Sequence, residues 1–219
     1  MTDVSKTPEK KRLRKRLVSA ALDTLDRQGW KVARVDGIGM GRVRRVTKNG
    51  TTRLAAIRTT QDTWIAFPRN EDDTKWVTLS DVDMVVIASV DDPNNPKFAK
   101  VHIVEAKEMR DRFDRAYAAR LAAGHTIPLG RGVWVSLYQD EGTSPVQLVG
   151  AGVGNVHPEI ARVPLDGSGA PEVSPLTEPT HRSNEQIANE DKLTIAEAKR
   201  RLALSLGVDA SSIKITVEA

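Results

Sequence analysis

VDMVVIA at residues 82–88 and VHIVEAK at residues 101–107 are the two stretches that decide the fold of this chain. Both are rich in β-branched residues, and a segment with two prolines and two asparagines, residues 91–96, separates them. This pattern predicts two β-strands joined in a hairpin. Apolar residues spaced three or four apart then predict a helix from Met109 to Gly124. We therefore expect a helix directly after a β-hairpin.

The predicted register of this hairpin gathers charged side chains at one margin of the sheet. Folding about Asn94 would place Asp83 opposite Glu105, because the start of one antiparallel strand meets the end of the other. Glu105 and Lys107 are two apart in a strand and would share a face. Three charged groups beside an apolar sheet cost free energy unless they pair or hold an ion. This margin is therefore the first candidate site.

Composition limits the class of protein. The chain has 219 residues and no cysteine, which excludes disulfides and thiolate metal sites. No run approaches the roughly 20 apolar residues of a membrane span. The basic N-terminus lacks the apolar segment of a signal peptide. We expect a cytoplasmic protein without membrane association.

Positive charge is concentrated in two parts of the chain, within residues 6–16 and within residues 42–58, and the net charge is +4. Acidic residues concentrate at 71–73 and 81–92. A basic surface beside an acidic pocket suits a polyanion that also needs a cation. The residues predicted to contact nucleic acid are Arg14, Arg16, Arg42, Arg44, Arg45 and Lys48. An exposed surface with local ion pairs explains the same charge runs, and this alternative stays open.

The remaining pattern predicts an α/β (α+β) protein with a mixed, mostly antiparallel sheet flanked by helices. A helix is expected over 9–28, and further strands over 30–35, 42–58 (a hairpin turning at Asn49-Gly50), 63–67, 75–79, 132–138 and 146–153. A helix precedes strand 132–138, so that strand is expected to run parallel to its sheet neighbour. The aromatic residues of 63–67 and 75–79 are expected in the core.

The chain is expected to have four parts. Residues 1–8 form a disordered basic tail, and residues 9–163 form the α/β core. Residues 164–189 are rich in Pro, Ser and Gly and predict a linker. Residues 190–219, with a capping box at Thr194 and Glu197, predict a small helix–strand docking unit.

Two smaller features complete the prediction. The glycine-rich residues 37–41 lack the Gly-Lys-Ser/Thr of a phosphate-binding loop, so a turn or a flexible loop is expected there. Arg58 and Gln61 lie near the start of a predicted strand and are candidate polar site residues.

The order of elements, with Asp83 on one strand and Glu105-Ala106-Lys107 on the next, resembles the PD-(D/E)XK nuclease superfamily over roughly residues 9–138. The resemblance implies a restriction-endonuclease-like core in which Asp83, Glu105 and the carbonyl of Ala106 bind Mg²⁺. It also implies that Lys107 orients or deprotonates the attacking water. This chain has Val82-Asp83 where the family has Pro-Asp.

The resemblance predicts a Mg²⁺-dependent nuclease that hydrolyses phosphodiester bonds of DNA. Hard oxygen ligands suit Mg²⁺, and a bound metal can activate water. One alternative is a non-catalytic nucleic-acid-binding or regulatory protein with a nuclease-like fold. Another is an assembly or adaptor protein that forms a homo-oligomer or binds a protein partner through residues 190–219.

Overall fold

A computed structural model of the chain describes residues 7–35, 42–128, 130–167 and 172–173. The helices are α1 (Pro8–Arg27), α2 (Ala106–Ala122) and α3 (Val153–Val156). The strands are β1 (Lys31–Arg34), β2 (Val43–Lys48), β3 (Thr51–Thr60), β4 (Trp64–Pro68), β5 (Met84–Val90), β6 (Phe98–Glu105), β7 (Gly132–Ser136), β8 (Ala161–Pro164) and β9 (Glu172–Val173).

Seven of the strands in the described part of the chain form one mixed sheet in the order β1-β2-β3-β5-β6-β8-β9. Neighbours are antiparallel except β3 and β5, which are parallel. Strand β5 is buried along its whole length, because α1 covers one face of the sheet and α2 the other. The predicted α/β class, a mixed and mostly antiparallel sheet flanked by helices, is confirmed.

Helix α1 forms where its apolar stripe predicts. Leu17, Ala21 and Leu25 recur every four residues and are fully buried against the sheet. Thr7 caps the start of the helix, since its hydroxyl accepts a hydrogen bond from the backbone N–H of Lys10. The charged residues therefore lie on the side of α1 that faces away from the core.

The β2–β3 hairpin turns at Asn49-Gly50, as predicted, and both residues have positive φ angles. Strand β2 begins opposite Ala56, so β3 continues for four residues beyond it. The last backbone contact on that side is the hydrogen bond from Ile57 N–H to the carbonyl of Arg42, at 2.8 Å. Residues 58–60 thus leave an open strand edge, and this edge borders the site described below.

Strand β7 does not join the main sheet, so its predicted parallel pairing is wrong. It pairs antiparallel with β4 in a separate two-stranded sheet. One face of this small sheet is buried in the core through Ile65, Phe67, Val133 and Val135. The other face carries Trp134, which is 53% exposed. The long connection after α2 permits this separate pairing, which local sequence does not specify.

Two other predicted strands are absent from the described residues. Residues 75–79 contribute one isolated bridge, between Arg69 and Trp76, before a 3₁₀ turn at Leu79–Asp81. Thr78 has a φ of +74°, which interrupts an extended strand. Residues 146–153 contain a 3₁₀ turn at Val146–Leu148 instead of a strand.

Of the aromatic residues predicted in the core, Phe67 and Trp76 are buried, whereas Trp64 is half-buried. Strand β9 lies within the predicted linker and pairs with β8. Residues 1–6, the glycine-rich residues 36–41, most of the linker and the C-terminal unit lie outside the described residues. None of the helices in the described ranges is long and apolar enough to span a bilayer.

Candidate functional site

The β5–β6 hairpin forms, but its register differs by one residue from the predicted one. Met84 lies opposite Glu105, and the carbonyl of Asp83 accepts a hydrogen bond from Ala106 N–H at 3.0 Å. Neighbouring residues of a strand alternate between faces, so a shift of one residue assigns Asp83 and Glu105 to opposite faces. The predicted alignment of Asp83 with Glu105 is therefore wrong.

Arg53 binds both strand ends at this margin. Its guanidinium donates to the two oxygens of Glu105, at 2.9 Å and 2.5 Å, and to the carbonyl of Asp83 at 3.0 Å. The Asp83 carboxylate accepts a hydrogen bond from Leu54 N–H at 2.7 Å. The bond to Glu105 raises the pKa of Arg53 above its usual range. Arg53 of β3 thus supplies the positive charge that balances the acidic residues at this margin, a role that the sequence predicts for a metal ion.

Lys107 belongs to α2 and not to the preceding strand. Strand β6 ends at Glu105, and α2 begins at Ala106, so strand alternation no longer relates Glu105 to Lys107. The Lys107 ammonium pairs with Asp111, one helical turn further on, at 2.8 Å. Its side chain is 80% exposed. The predicted strand face shared by Glu105 and Lys107 is wrong, because the helix starts three residues earlier than its apolar periodicity indicates.

As arranged here, these residues do not fit a metal site. No group of three His, Asp or Glu side chains that could hold an ion occurs among the described residues. Glu105 is occupied by Arg53, and Asp83 by backbone. The predicted Mg²⁺ ligands Asp83, Glu105 and Ala106 stay a prediction, and no reaction step is derived through them.

A different site lies beside the open edge of β3. It is a cleft of about 380 Å³, which we call the basic cleft. Its lining residues come from α1, the start of β2, the end of β3, the turn after β3, and β7: Lys10, Arg14, Val18, Arg42, Arg44, Ile57, Arg58, Thr59, Thr60, Gln61, Asp62 and Trp134. Five of these side chains are cationic and one is acidic, so the cleft is suited to an anion.

Arg58 is the most unusual of these residues. Its side chain is only 9% exposed, and its Nε and Nη1 atoms are buried without a hydrogen-bond partner. The guanidinium lies over the ring of Phe67, with its central carbon 4.3 Å from the ring centroid. A buried cation is costly without an anionic or polar partner. The structure pairs Arg58 with no carboxylate among the described residues.

The electrostatics of the cleft reflect burial first and crowding of like charges second. Burial, and after it the positive charge of Arg42, lowers the pKa of Arg58 to about 10. Burial and the charge of Arg14 likewise lower the pKa of Arg42. Arg58 and Arg42 still carry a positive charge at neutral pH. An anion placed among them would relieve this repulsion.

Local hydrogen bonds hold the cleft in shape without neutralising it. Gln61 Nε2 donates to the carbonyl of Lys10 at 2.8 Å and so ties the end of β3 to α1. The Asp62 carboxylate is held by the Thr60 hydroxyl at 2.7 Å and by Trp64 N–H at 3.2 Å. The single acid of the cleft is therefore engaged in its own turn.

Three of the six predicted nucleic-acid contacts meet in this cleft: Arg14, Arg42 and Arg44. The other three lie elsewhere. Arg16 donates to the carbonyl of Leu165 at 2.5 Å, and the Lys48 ammonium lies 5.7 Å from the ring centroid of Trp30. Arg45 is exposed on β2 but does not line the cleft.

Arg58 and Gln61 were predicted only as candidate polar residues, and both line the cleft. The signal for Arg58 is its place in the strand pattern, where Ala56, Arg58 and Thr60 occupy one face. An arginine in that position is buried by its neighbours, and the acid nearest to it in the sequence, Asp62, is bound within its own turn.

The chain matches no protein-family model, no curated protein and no solved structure. Its resemblance to the PD-(D/E)XK superfamily and the restriction-endonuclease-like core stay predictions from the sequence.

Proposed function

We propose that the protein binds the phosphate backbone of nucleic acid in the basic cleft and does so without cutting it. The observation that carries this proposal is Arg58, a buried guanidinium with two unpartnered N–H-bearing nitrogens in a cleft with four other cations.

The chemistry of phosphate supports this choice of ligand. Phosphate oxygens accept hydrogen bonds in the planar geometry that a guanidinium offers, and they neutralise several cations at once. A repeated phosphate backbone would also satisfy Lys10, Arg14 and Arg42 along the cleft. Binding of this kind releases counterions, so affinity falls steeply as salt concentration rises.

The test compares two arginines of α1 that differ in position but not in charge. Arg14 lines the basic cleft, whereas Arg12 pairs with Glu9 on another part of the helix surface. Fluorescence anisotropy of a labelled DNA oligonucleotide is measured over a series of potassium chloride concentrations. We expect Arg14→Gln to weaken binding and to lower the slope of log affinity against log salt by about 1.

Arg12→Gln serves as the control and is expected to leave the affinity and the salt slope close to those of the wild type. Equal effects of the two substitutions would indicate a diffuse surface charge and overturn the cleft proposal. Absence of binding at low salt by the wild-type protein would overturn it as well.

Metal-dependent cleavage of DNA is a second candidate, favoured by one observation: Asp83 and Glu105 lie at the same end of the β5–β6 pair. It is tested by incubating supercoiled plasmid with the native protein and Mg²⁺ or Mn²⁺. Cleavage that is lost in Asp83→Ala and in Glu105→Ala would support a nuclease and would overturn the non-catalytic proposal. Arg53→Gln, which releases Glu105 from its ion pair, is expected to increase cleavage if Glu105 is a metal ligand.

Two further parts of the proposal come from sequence alone. A cytoplasmic location fits the absence of cysteine. Self-association or a protein partner through residues 190–219 is tested by comparing the full chain with a chain ending at residue 189 on a sizing column.

A further inference from the structure

Trp134 is an exposed aromatic residue that lines the basic cleft. Its side chain is 53% exposed, although its neighbours Val133 and Val135 are buried. It is the only aromatic among the large apolar residues that are clearly exposed in the described part of the chain. An exposed indole leaves a large apolar area in contact with water. Its position on this surface therefore indicates contact with a ligand.

The surroundings of Trp134 leave its ring free for contact. The residue opposite it across the small sheet is Ala66, the neighbours two residues away on its own strand are Gly132 and Ser136, and Trp64 and Pro68 lie diagonal to it on β4. These neighbours leave Trp134 53% exposed. The aromatic rings of Phe67, Trp76, Phe113 and Tyr117, by contrast, pack edge-to-face with one another.

The backbone beneath Trp134 is held in place. Its strand pairs with β4 over five residues, and its carbonyl accepts a hydrogen bond from Arg120 at 2.6 Å. Because the backbone is fixed, only the side-chain torsions of Trp134 have to be ordered when a flat ligand stacks on it. The ring therefore has the properties of a preformed stacking surface beside the phosphate-binding arginines.

A nucleic-acid strand carries flat bases and phosphates in alternation. In a duplex the base faces are already stacked on each other, whereas in a single strand they are accessible. From the shared cleft of Trp134 and Arg58 we infer that the protein binds single-stranded nucleic acid, with one base stacked on Trp134 and an adjacent phosphate held by Arg58. This inference rests on the proposed function and specifies its substrate class.

The experiment uses three labelled probes: a short oligothymidylate, an abasic oligonucleotide with the same phosphates but no bases, and a duplex of equal length. Anisotropy is measured with the wild-type full chain, Trp134→Ala, Trp134→Phe, and Leu121→Ala as a control. Leu121 is also exposed and apolar, but it lies on α2 outside the cleft.

Stacking on one base predicts that Trp134→Ala weakens binding of the oligothymidylate by about 5- to 150-fold. The same substitution is expected to leave binding of the abasic probe unchanged. Trp134→Phe keeps an aromatic ring and should retain most of the affinity. Leu121→Ala should match the wild type, and the wild type should bind the duplex more weakly than the oligothymidylate.

The outcomes distinguish failure of this inference from failure of the proposed function. If the wild type binds all three probes and Trp134→Ala has no selective effect on the base-bearing strand, the inference fails and phosphate binding stands. If the wild type prefers the duplex, the single-strand inference is overturned. If no probe binds at low salt, the inference and the proposed function fail together. Circular dichroism of each variant verifies that a loss of affinity does not reflect unfolding.

Discussion

Two buried arginines show that the role of a residue depends on the partners around it. Arg112 is 7% exposed, and its Nε and Nη1 donate to Glu108 at 3.0 Å and to the carbonyls of Ala151 and Gly150 at 2.6 Å and 3.4 Å. Arg58 is buried to a similar extent but has no such partners among the described residues. A buried polar group that is satisfied supports the fold, whereas one left unsatisfied destabilises it. We therefore assign a structural role to Arg112 and a ligand-binding role to Arg58.

Replacing Arg58 by methionine tests that assignment. Methionine has a similar length and fills the space over Phe67 without a charge to desolvate. We expect Arg58→Met to raise the free energy of unfolding by about 1–2 kcal/mol and to weaken oligonucleotide binding. Urea denaturation and anisotropy measure the two effects.

A loss of stability in Arg58→Met would contradict this expectation, since it would indicate that the guanidinium has stabilising contacts. Unchanged oligonucleotide affinity would contradict the ligand-binding role.

His102 is a second residue whose burial has a measurable consequence. Its Nδ1 lies 2.8 Å from the carbonyl of His157 and its Nε2 lies 2.9 Å from the Tyr138 hydroxyl, which also contacts Ser89. Burial is the largest influence on the pKa of His102 and lowers it. The carbonyl of His157 and the charge of Glu159 act against this shift, whereas the charge of Lys100 lowers the pKa further. Burial raises the pKa of Tyr138 to about 12. Both side chains are therefore neutral in the fold at neutral pH.

The lowered pKa of His102 predicts a dependence of stability on pH. The fold favours the neutral imidazole, so this stabilisation is present above the unfolded pKa of about 6.5 and is lost as pH falls through the lower folded pKa. We expect the free energy of unfolding to decrease on acidification and His102→Gln to reduce that decrease. Urea denaturation of the wild type and of His102→Gln at several pH values measures this change in the free energy of unfolding.

His125→Gln is the matched control, because His125 is exposed. An acid-induced loss of stability that is the same in wild type and His102→Gln would assign the effect to other groups.

At the scale of elements, the connection from β7 to α3 is held against α2 by two arginines of that helix, Arg112 and Arg115. Arg112 of α2 contacts the carbonyls of Gly150 and Ala151, and Glu141 from the same connection lies 3.7 Å from its guanidinium. Gly150 has a φ of +82°, and a Cβ there would lie 2.6 Å from the carbonyl oxygen of Arg112. The segment therefore approaches the helix backbone as closely as only glycine permits.

Removing this anchor should have the opposite effect to the change at Arg58. Arg112→Met leaves the buried carbonyls of Gly150 and Ala151 without this donor and removes one cation from Glu108 and Glu141, which keep His157 and Arg115 as partners. We expect it to lower the free energy of unfolding by about 2–3 kcal/mol, because Glu108 and Glu141 are partly solvated and recover some hydration. Urea denaturation measures the free energy of unfolding of Arg112→Met and of Arg58→Met under the same conditions.

The two variants can be compared directly, because each replaces a buried arginine by methionine. Similar changes in stability at the two positions would show that the hydrogen-bond partners of Arg112 do not matter and would contradict the distinction.

At the scale of the described molecule, the main sheet separates two apolar cores. One core lies between the sheet and α1, and the other contains α2 and the small β4–β7 sheet. In the second core, Phe113 of α2 packs edge-to-face against Phe67 and Trp76, with ring centroids 5.2 Å and 5.4 Å away. Phe113 thus joins the helix to the small sheet that carries Trp134.

We expect Phe113→Ala to lower the free energy of unfolding by about 3–5 kcal/mol, because it leaves a cavity among large aromatic side chains. Urea denaturation followed by tryptophan fluorescence and circular dichroism measures the loss. Phe113→Leu, which keeps most of the volume, should cost less, and equal losses in the two variants would contradict a cavity effect.

The elements that sequence predicted well depend on local signals. Helix α1 has its own apolar stripe and cap, and the β2–β3 hairpin has its Asn49-Gly50 turn. The register of β5 against β6 was missed by one residue. All seven residues of β5 are buried, so no alternation of polar and apolar residues marks its faces.

The sequence by itself determined the α/β class, the first helix, the β2–β3 hairpin and the two concentrations of positive charge, because each depends on residues close together in the chain. Only the tertiary structure decided which charges meet. It paired Glu105 with Arg53, and it brought Arg14, Arg42 and Arg58 together beside Trp134. These residues belong to different elements, and their proximity depends on how helices and sheets pack, which no local pattern encodes.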